Sequence, residues 1–266
     1  VIKLTMGCDP EIFIFDKVKD RIVPAIGLIG GTKDEPIPID GGSYQLDGTL
    51  LEFGIDPNGD IGKVVNGIRA VLSAKFGDRY ELRCGASAGY HPEDLPNNHP
   101  ALNVGCSPQF RMVSATKLEQ VRGVPKLDPR NIPAGGHIHV GFTEGADISD
   151  PALLKPCWDF TRVLLQLYHT SGDLRRDQVL GGSRCVMRIK PYGFEWRNPS
   201  GEWLADSRVF EEITKLITEY TKHLTGETNT EPHHHSLVKI CSLYAAIRNK
   251  AARVDDKYQG TLPLDY

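Results

Sequence analysis

The stretch Gly135-Gly136-His137-Ile138-His139-Val140-Gly141-Phe142 restricts the fold more than any other part of the chain. Polar and apolar residues alternate through His-Ile-His-Val, and glycines stand on both sides. That pattern predicts a short β-strand with one face on a core and the other on a polar cavity. Successive strand side chains point to opposite faces, so His137 and His139 share a side while Ile138 and Val140 pack behind them. The flanking glycines let a second backbone or a ligand approach closely. One histidine on a strand is commonly a hydrogen-bonded structural residue. Two on the same face begin to read as ligands, provided that acids elsewhere in the chain join them.

Three further segments supply such acids. Met6-Gly7-Cys8-Asp9-Pro10-Glu11-Ile12-Phe13-Ile14-Phe15, within residues 2–15, reads as a strand with Asp9 and Glu11 on one face. Pro10 lacks a donor and is therefore expected at the strand's start or at an edge. Glu11 runs directly into an apolar segment, where an unpaired carboxylate is costly and a bound cation would relieve the cost. Asp47-Gly48 signals a turn, and Thr49–Phe53 reads as a strand that puts Glu52 among apolar neighbours. Farther on, Glu195 and Arg197 form another i, i+2 pair on an aromatic strand. Arginines and lysines gather between residues 175 and 197, including Arg175, Arg176, Arg184, Arg188 and Lys190. Carboxylates with an imidazole suit hard divalent ions such as Mg²⁺ or Mn²⁺, and arginines beside such ions suit nucleotide phosphates.

The remaining segments frame these strands. Residues 24–48, rich in Gly, Pro and Asp, read as a long functional loop; the spacing of Gly30-Gly31-Thr32-Lys33 does not fit a P-loop, although Lys33 can meet a phosphate. Asp60 is expected to cap a helix running to about Phe76, with Gly77 as its stop. Its apolar face is Ile61, Val64, Val65, Ile68, Val71 and Leu72. Other helices are expected from Asp150-Pro151 to Gly172, at about 207–225, and at 236–253 with Ser236 as N-cap. Residues 80–134 give only weak strand signals, at Tyr80–Cys84, Asn103–Cys106 and Gln109–Val113. His233-His234-His235 reads as a solvated loop, because adjacent histidines do not readily converge on one ion.

Bulk properties narrow the function classes. The chain has 266 residues, enough for a substantial core, and its formal charge of −3 without a basic run argues against nucleic-acid binding. No apolar stretch approaches the roughly 18–20 residues of a membrane span. The N-terminal residues lack the pattern of a signal peptide. Six scattered cysteines without a C-x-x-C pair read as reduced thiols, which points to a cytoplasmic protein.

Five motifs taken together resemble the carboxylate–amine ligases of the glutamine synthetase-like superfamily, which includes the glutamate–cysteine ligases, and most of all the phage-type COOH–NH2 ligases. They are Gly7-Cys-Asp9-Pro-Glu11, Gly30-Gly-Thr-Lys33, Asp47-Gly-Thr-Leu-Leu-Glu52-Phe53, Gly135-Gly-His137-Ile-His139-Val-Gly141 and Arg188-Ile-Lys-Pro-Tyr-Gly193-Phe-Glu195-Trp-Arg197. They occur in family order through residue 200, although Gly105-Cys106-Ser107-Pro108-Gln109 departs from the phage-type pattern. The resemblance implies a single α+β catalytic domain over residues 1–266. Its curved, mainly antiparallel β-sheet would hold ATP and two or three Mg²⁺ ions, or Mn²⁺, on the concave face, with helices packed on the convex face. By the same resemblance Glu11, Glu52, His137 and Glu195 are metal ligands. Asp9, Lys33, His139 and Arg197 contact the nucleotide, and Arg188, Glu52 and Arg176 are catalytic. The implied reaction activates a substrate carboxylate as an acyl phosphate, which an amine then attacks. Expected partners are small-molecule or peptide carboxylates and amines, with no nucleic acid or membrane and with a homo-oligomer allowed; a phage-encoded chain would act in the host cytoplasm. Competing readings are a zinc hydrolase using His137 and His139, a phosphotransferase on the same fold, and a non-enzymatic binding or virion-associated protein.

Overall fold

A computed structural model of the chain describes residues 4–103, 109–114, 117–121, 127–142, 154–155, 158–159, 162, 186–229, 235–254 and 260–266. In chain order its strands begin with β1 (Leu4–Asp16), β2 (Arg21–Val23), β3 (Ile37–Ile39), β4 (Gly42–Asp47) and β5 (Leu50–Ile55). After helix α1 (Ile61–Phe76) come β6 (Tyr80–Cys84), β7 (Ser87–Ala88), β8 (Gln109–Ser114), β9 (Lys117–Val121), β10 (Ile132–Pro133) and β11 (Gly136–Phe142). The chain continues through β12 (Val186–Lys190), β13 (Gly193–Trp196), α2 (Arg208–Leu224), α3 (His235–Ala251) and β14 (Leu262–Pro263). Together they make an α+β architecture dominated by one large open sheet.

The sheet is organised around β1. Its main path runs β3-β4-β5-β1-β11-β13-β12-β8-β9, while β2 and β6 also pair with β1 and β14 extends β6. Each of these ladders is antiparallel. Residues Leu4–Pro10 of β1 pair with β11, Glu11 and Ile12 with β5, and Phe13–Asp16 with β6. Pro10 therefore sits mid-strand in the interior of the sheet, not at the start or the edge that its chemistry predicts. Register explains the exception. Glu11 N donates to Gly135 O at 2.7 Å, so alternate nitrogens face β11, and the Pro10 nitrogen faces the β5 side instead. There the β1–β5 pairing begins only at Glu11, opposite Glu52. The ladder stops there, where Pro10 has no donor to offer the facing Phe53.

The expected loop at 24–48 also differs, because residues 37–47 form the hairpin β3–β4. Its turn is Asp40-Gly41, with Gly41 at φ +82°, a conformation that a side chain would oppose. The Asp47-Gly48 turn lies where the sequence placed it and joins β4 to β5. The Asp60 side chain caps α1 by accepting from Gly62 N at 2.8 Å, and Gly77 ends that helix at φ +66°. Val71, expected on the apolar face, is exposed. In α3 the first residue is His235, so Ser236 is a buried residue inside the helix and not its N-cap. Most of the helix expected from Asp150 to Gly172 and the stretch Asn103–Cys106 beyond its first residue lie outside the described residues, as do His233 and His234.

The two faces of the sheet have different fates. Even-numbered residues of β1 (Met6, Cys8, Ile12, Ile14) join Ile138, Val140, Phe194, Trp196 and Met187 in one apolar cluster with residues of α1, α2 and α3. Those include Val64, Val65 and Ile68 of α1, Ile213 and Leu216 of α2, and Ile240 and Tyr244 of α3. Odd-numbered β1 residues divide by position. Phe13 and Phe15 are covered by a second cluster with Tyr90, Leu95, Leu102 and Ile132, whereas Gly7, Asp9 and Glu11 are not part of either cluster. That polar half of the face is the part left for chemistry. No helix among the described residues is long and apolar enough to cross a membrane. Cys8, Cys84 and Cys241 are free thiols.

Candidate metal and anion site

Strand register aligns the polar residues in a row across the sheet. Asp9 lies opposite His137 and Gly7 opposite His139; His139 in turn lies opposite Glu195, and Glu195 opposite Arg188. On the other side of β1, Glu11 lies opposite Glu52, which lies opposite Gln45. Paired residues of neighbouring strands project to the same face. Their side chains therefore meet although they come from segments up to about 180 residues apart in sequence.

The first donor group centres on Asp9. Its Oδ1 lies 3.2 Å from His137 Nδ1 and 3.0 Å from His139 Nε2, and His137 Nδ1 is 3.7 Å from Glu195 Oε1. Neither imidazole contact has hydrogen-bond geometry, so three buried polar atoms converge without a partner. Polar atoms gathered in this way are an arrangement that a cation can complete. Asp9, His139 and Glu195 each offer one ligand atom, and these atoms lie within 4.8 Å of one another. Burial alone would raise the Asp9 pKa, but the two imidazoles facing it outweigh burial and hold it low. A glycine at 135 is required here, since a β-carbon on that residue would overlap the His137 ring.

A second donor group lies on the other side of β1. Glu11, Asp47 and Glu52 again bring one oxygen each within 4.8 Å of the others. Gln45 Nε2 donates to Glu52 Oε1 at 2.6 Å, and Gly135 N donates to Glu11 Oε2 at 2.6 Å. Burial, and then repulsion from Asp9, Asp47 and Glu11, push the Glu52 pKa up to about 10. At neutral pH the carboxyl therefore keeps its proton. Lys33 Nζ stands 3.7 Å from Asp47 Oδ2, and the surrounding carboxylates raise its pKa against the opposing effect of burial.

The flank beyond β11 is basic. Glu195, fully buried, receives Arg188 Nη1 at 3.0 Å, Lys190 Nζ at 3.1 Å and Arg197 Nη1. Burial would raise its pKa, but His137 and the guanidiniums bring it down to about 2. Arg188 Nε is buried without a hydrogen-bond partner. Tyr192, in the turn between β12 and β13, places its hydroxyl 2.5 Å from His139 Nδ1. Burial, Asp9 and Glu195 raise the Tyr192 pKa to about 12, so the phenol stays protonated.

The structure thus brings together Asp9, Glu11, Lys33, Glu52, His137, His139, Arg188, Glu195 and Arg197; Arg176 lies outside the described residues. The grouping differs from the expected one. Of the expected metal set, Glu11 and Glu52 fall in one donor group and Glu195 in the other, with His137 beside Glu195 at 3.7 Å; Asp9 and His139, expected at the nucleotide, complete the Glu195 group. The reason is register, which sets Glu195 opposite His139 rather than His137. Asp47, Gln45 and Tyr192 were missed as site residues, and Lys190 was read only as one of the basic residues between 175 and 197. Asp47 was legible only as a turn signal, although period-2 alternation back from the hairpin puts it on the Glu52 face.

A separate recess of about 200 Å³, lined by Asp16, Val23, Leu28, Tyr80, Asp94 and His99 among others, lies at the far end of β1. Its acids are already paired, Asp16 with Arg79 and Asp94 with Lys19 and Arg21. It adds no reactive group. Comparison with known protein families gives no match, and a search of curated protein sequences gives none either.

Proposed function

We propose that the chain is an ATP- and Mg²⁺-dependent ligase that activates a carboxylate as an acyl phosphate and joins it to an amine. The observation that carries this reading is the pairing of two oxygen-rich donor groups with three cations on Glu195, all on one sheet face. Hard oxygen donors with one imidazole fit Mg²⁺ or Mn²⁺ and suit soft metals poorly. In this reading Glu11, Asp47 and Glu52 hold one ion, and Asp9, His139 and Glu195 hold another. Mg²⁺, when bound there, supplies charge neutralisation at phosphate oxygens. With Glu195 engaged at such an ion, Arg188, Lys190 and Arg197 would face the phosphoryl group and stabilise its negative charge, and Lys33 would serve the same purpose from the other flank. The fold proposed with this function is that of the glutamine synthetase-like catalytic domain, and the resemblance of the five motifs supports it.

Hydroxylamine tests the proposal by intercepting an acyl phosphate. With MgATP and a panel of amino acids, dicarboxylates and peptides, wild-type protein is expected to yield hydroxamate and ADP in equal amounts, and Glu52→Gln neither. One observation favours a second reading: both imidazoles face Asp9, as two histidines and a carboxylate do around zinc. Stoichiometric zinc in the purified protein, with hydrolysis independent of ATP, would replace the ligase by a zinc hydrolase.

A further inference from the structure

The imidazole of His139 has one contact on each nitrogen, and the two contacts differ in kind. Nδ1 lies 2.5 Å from the Tyr192 hydroxyl, and the two rings are near parallel, 18° apart, with centroids separated by 6.0 Å. Nε2 lies 3.0 Å from Asp9 Oδ1 but makes no hydrogen bond. A neutral imidazole carries one proton and one lone pair, and the partner of one nitrogen decides the state of the other. With the proton on Nδ1, the hydroxyl oxygen receives it and the Nε2 lone pair is left facing the Asp9–Glu195 side. With the proton on Nε2, the N–H faces the Asp9 carboxylate and the Nδ1 lone pair accepts from the Tyr192 hydroxyl. A cation between Asp9 and Glu195 needs the Nε2 lone pair, so holding one requires the first arrangement.

The backbone around Tyr192 is suited to hold this contact. Tyr192 sits in the turn between β12 and β13, and its carbonyl accepts from Phe142 N at 2.9 Å. Phe142 ends β11, the strand that carries His139, so the turn is tied to the strand whose ring it orients. The side chain itself is 45% exposed, and therefore its hydroxyl is not needed to fill a core.

We propose that Tyr192 is a positioning residue: its hydroxyl accepts the His139 Nδ1 proton and turns the Nε2 lone pair toward a divalent cation shared with Asp9 and Glu195. The inference rests on the metal-binding reading of this face. Partners on the far nitrogen of a metal-binding histidine typically change metal affinity by about 10–100-fold.

Mn²⁺ alone is the probe, followed by electron paramagnetic resonance in a Glu52→Gln background that disables the other donor group. The expected result is a bound ion whose affinity falls about 10-fold or more in Tyr192→Phe, with the metal-free unfolding temperature unchanged. Tyr192→Leu should weaken binding no further than Tyr192→Phe, since the hydroxyl and not the ring is responsible. In a His139→Ala background, Tyr192→Phe should have no additional effect. Mn²⁺ affinity within twofold of the parent in Tyr192→Phe would overturn the inference while leaving the metal reading intact. Loss of metal-free stability in that variant would make the tyrosine structural, and absence of Mn²⁺ binding in the parent would overturn inference and metal reading together.

Discussion

Glu52 is the residue whose surroundings make the sharpest demand. Its pKa rises from the ordinary 4.5 to about 10 through burial and three neighbouring acids. Between those values the folded protein keeps a proton that the unfolded chain has released, so metal-free stability falls as pH rises across the window. The slope approaches about 1.4 kcal/mol per pH unit for one group. Chemical denaturation at several pH values should show it, and Glu52→Gln or saturating Mg²⁺ should flatten it. A metal-free stability independent of pH across this range would refute the assignment. Gly135 gives a second test at this scale. Gly135→Ala must displace the His137 ring and is expected to cost about 1–3 kcal/mol by overpacking, together with weaker Mn²⁺ binding. The chemical residues themselves were largely legible, because acids and histidines among apolar neighbours stand out in a sequence. Their grouping was not. Whether Glu195 answers His137 or His139 depends on a two-residue choice of register, which keeps every side chain on its face and so leaves no trace in the alternation.

At the level of elements, the helix caps and turns were readable because they depend on local chemistry. Asp60 with Gly77 bounded α1, and Asp47-Gly48 marked the β4–β5 turn. Asp60→Ala should cost about 1 kcal/mol, which for a chain of this size lowers the unfolding temperature by about 2–4 °C. The β3–β4 hairpin was hidden by its own composition, since the prolines and glycines that make a loop-like sequence also make an edge strand with a tight turn. Pro10 misled for a related reason. Its cost depends on which neighbour its nitrogen faces, and that nitrogen faces away from β11, toward the side where the β1–β5 ladder covers only Glu11 and Ile12. Ile138, fully buried behind the histidines, tests the packing of β11. Ile138→Ala is expected to cost about 2–5 kcal/mol in denaturant titrations, with loss of metal affinity as the strand loosens.

Across the whole molecule, function follows from a division of one sheet's faces. One face packs on three helices among the described residues, and half of the other leaves two donor groups and a basic flank without an apolar cover. Alternation along β1 and β11 made this division legible, whereas the order of strands, which sets acids beside arginines, was visible only in three dimensions. The central claim is that this face holds divalent cations and the phosphates of ATP together. Thermal unfolding with a nonhydrolysable ATP analogue, with and without Mg²⁺, tests it most directly when wild type is compared with Glu52→Gln. Saturation near 100 times Kd adds about 2.7 kcal/mol, a shift of several degrees. That shift is expected only when Mg²⁺ and nucleotide are both present, with a much smaller one in Glu52→Gln. A folded wild-type protein that shows no shift with both ligands, or an equal shift without Mg²⁺, would contradict it.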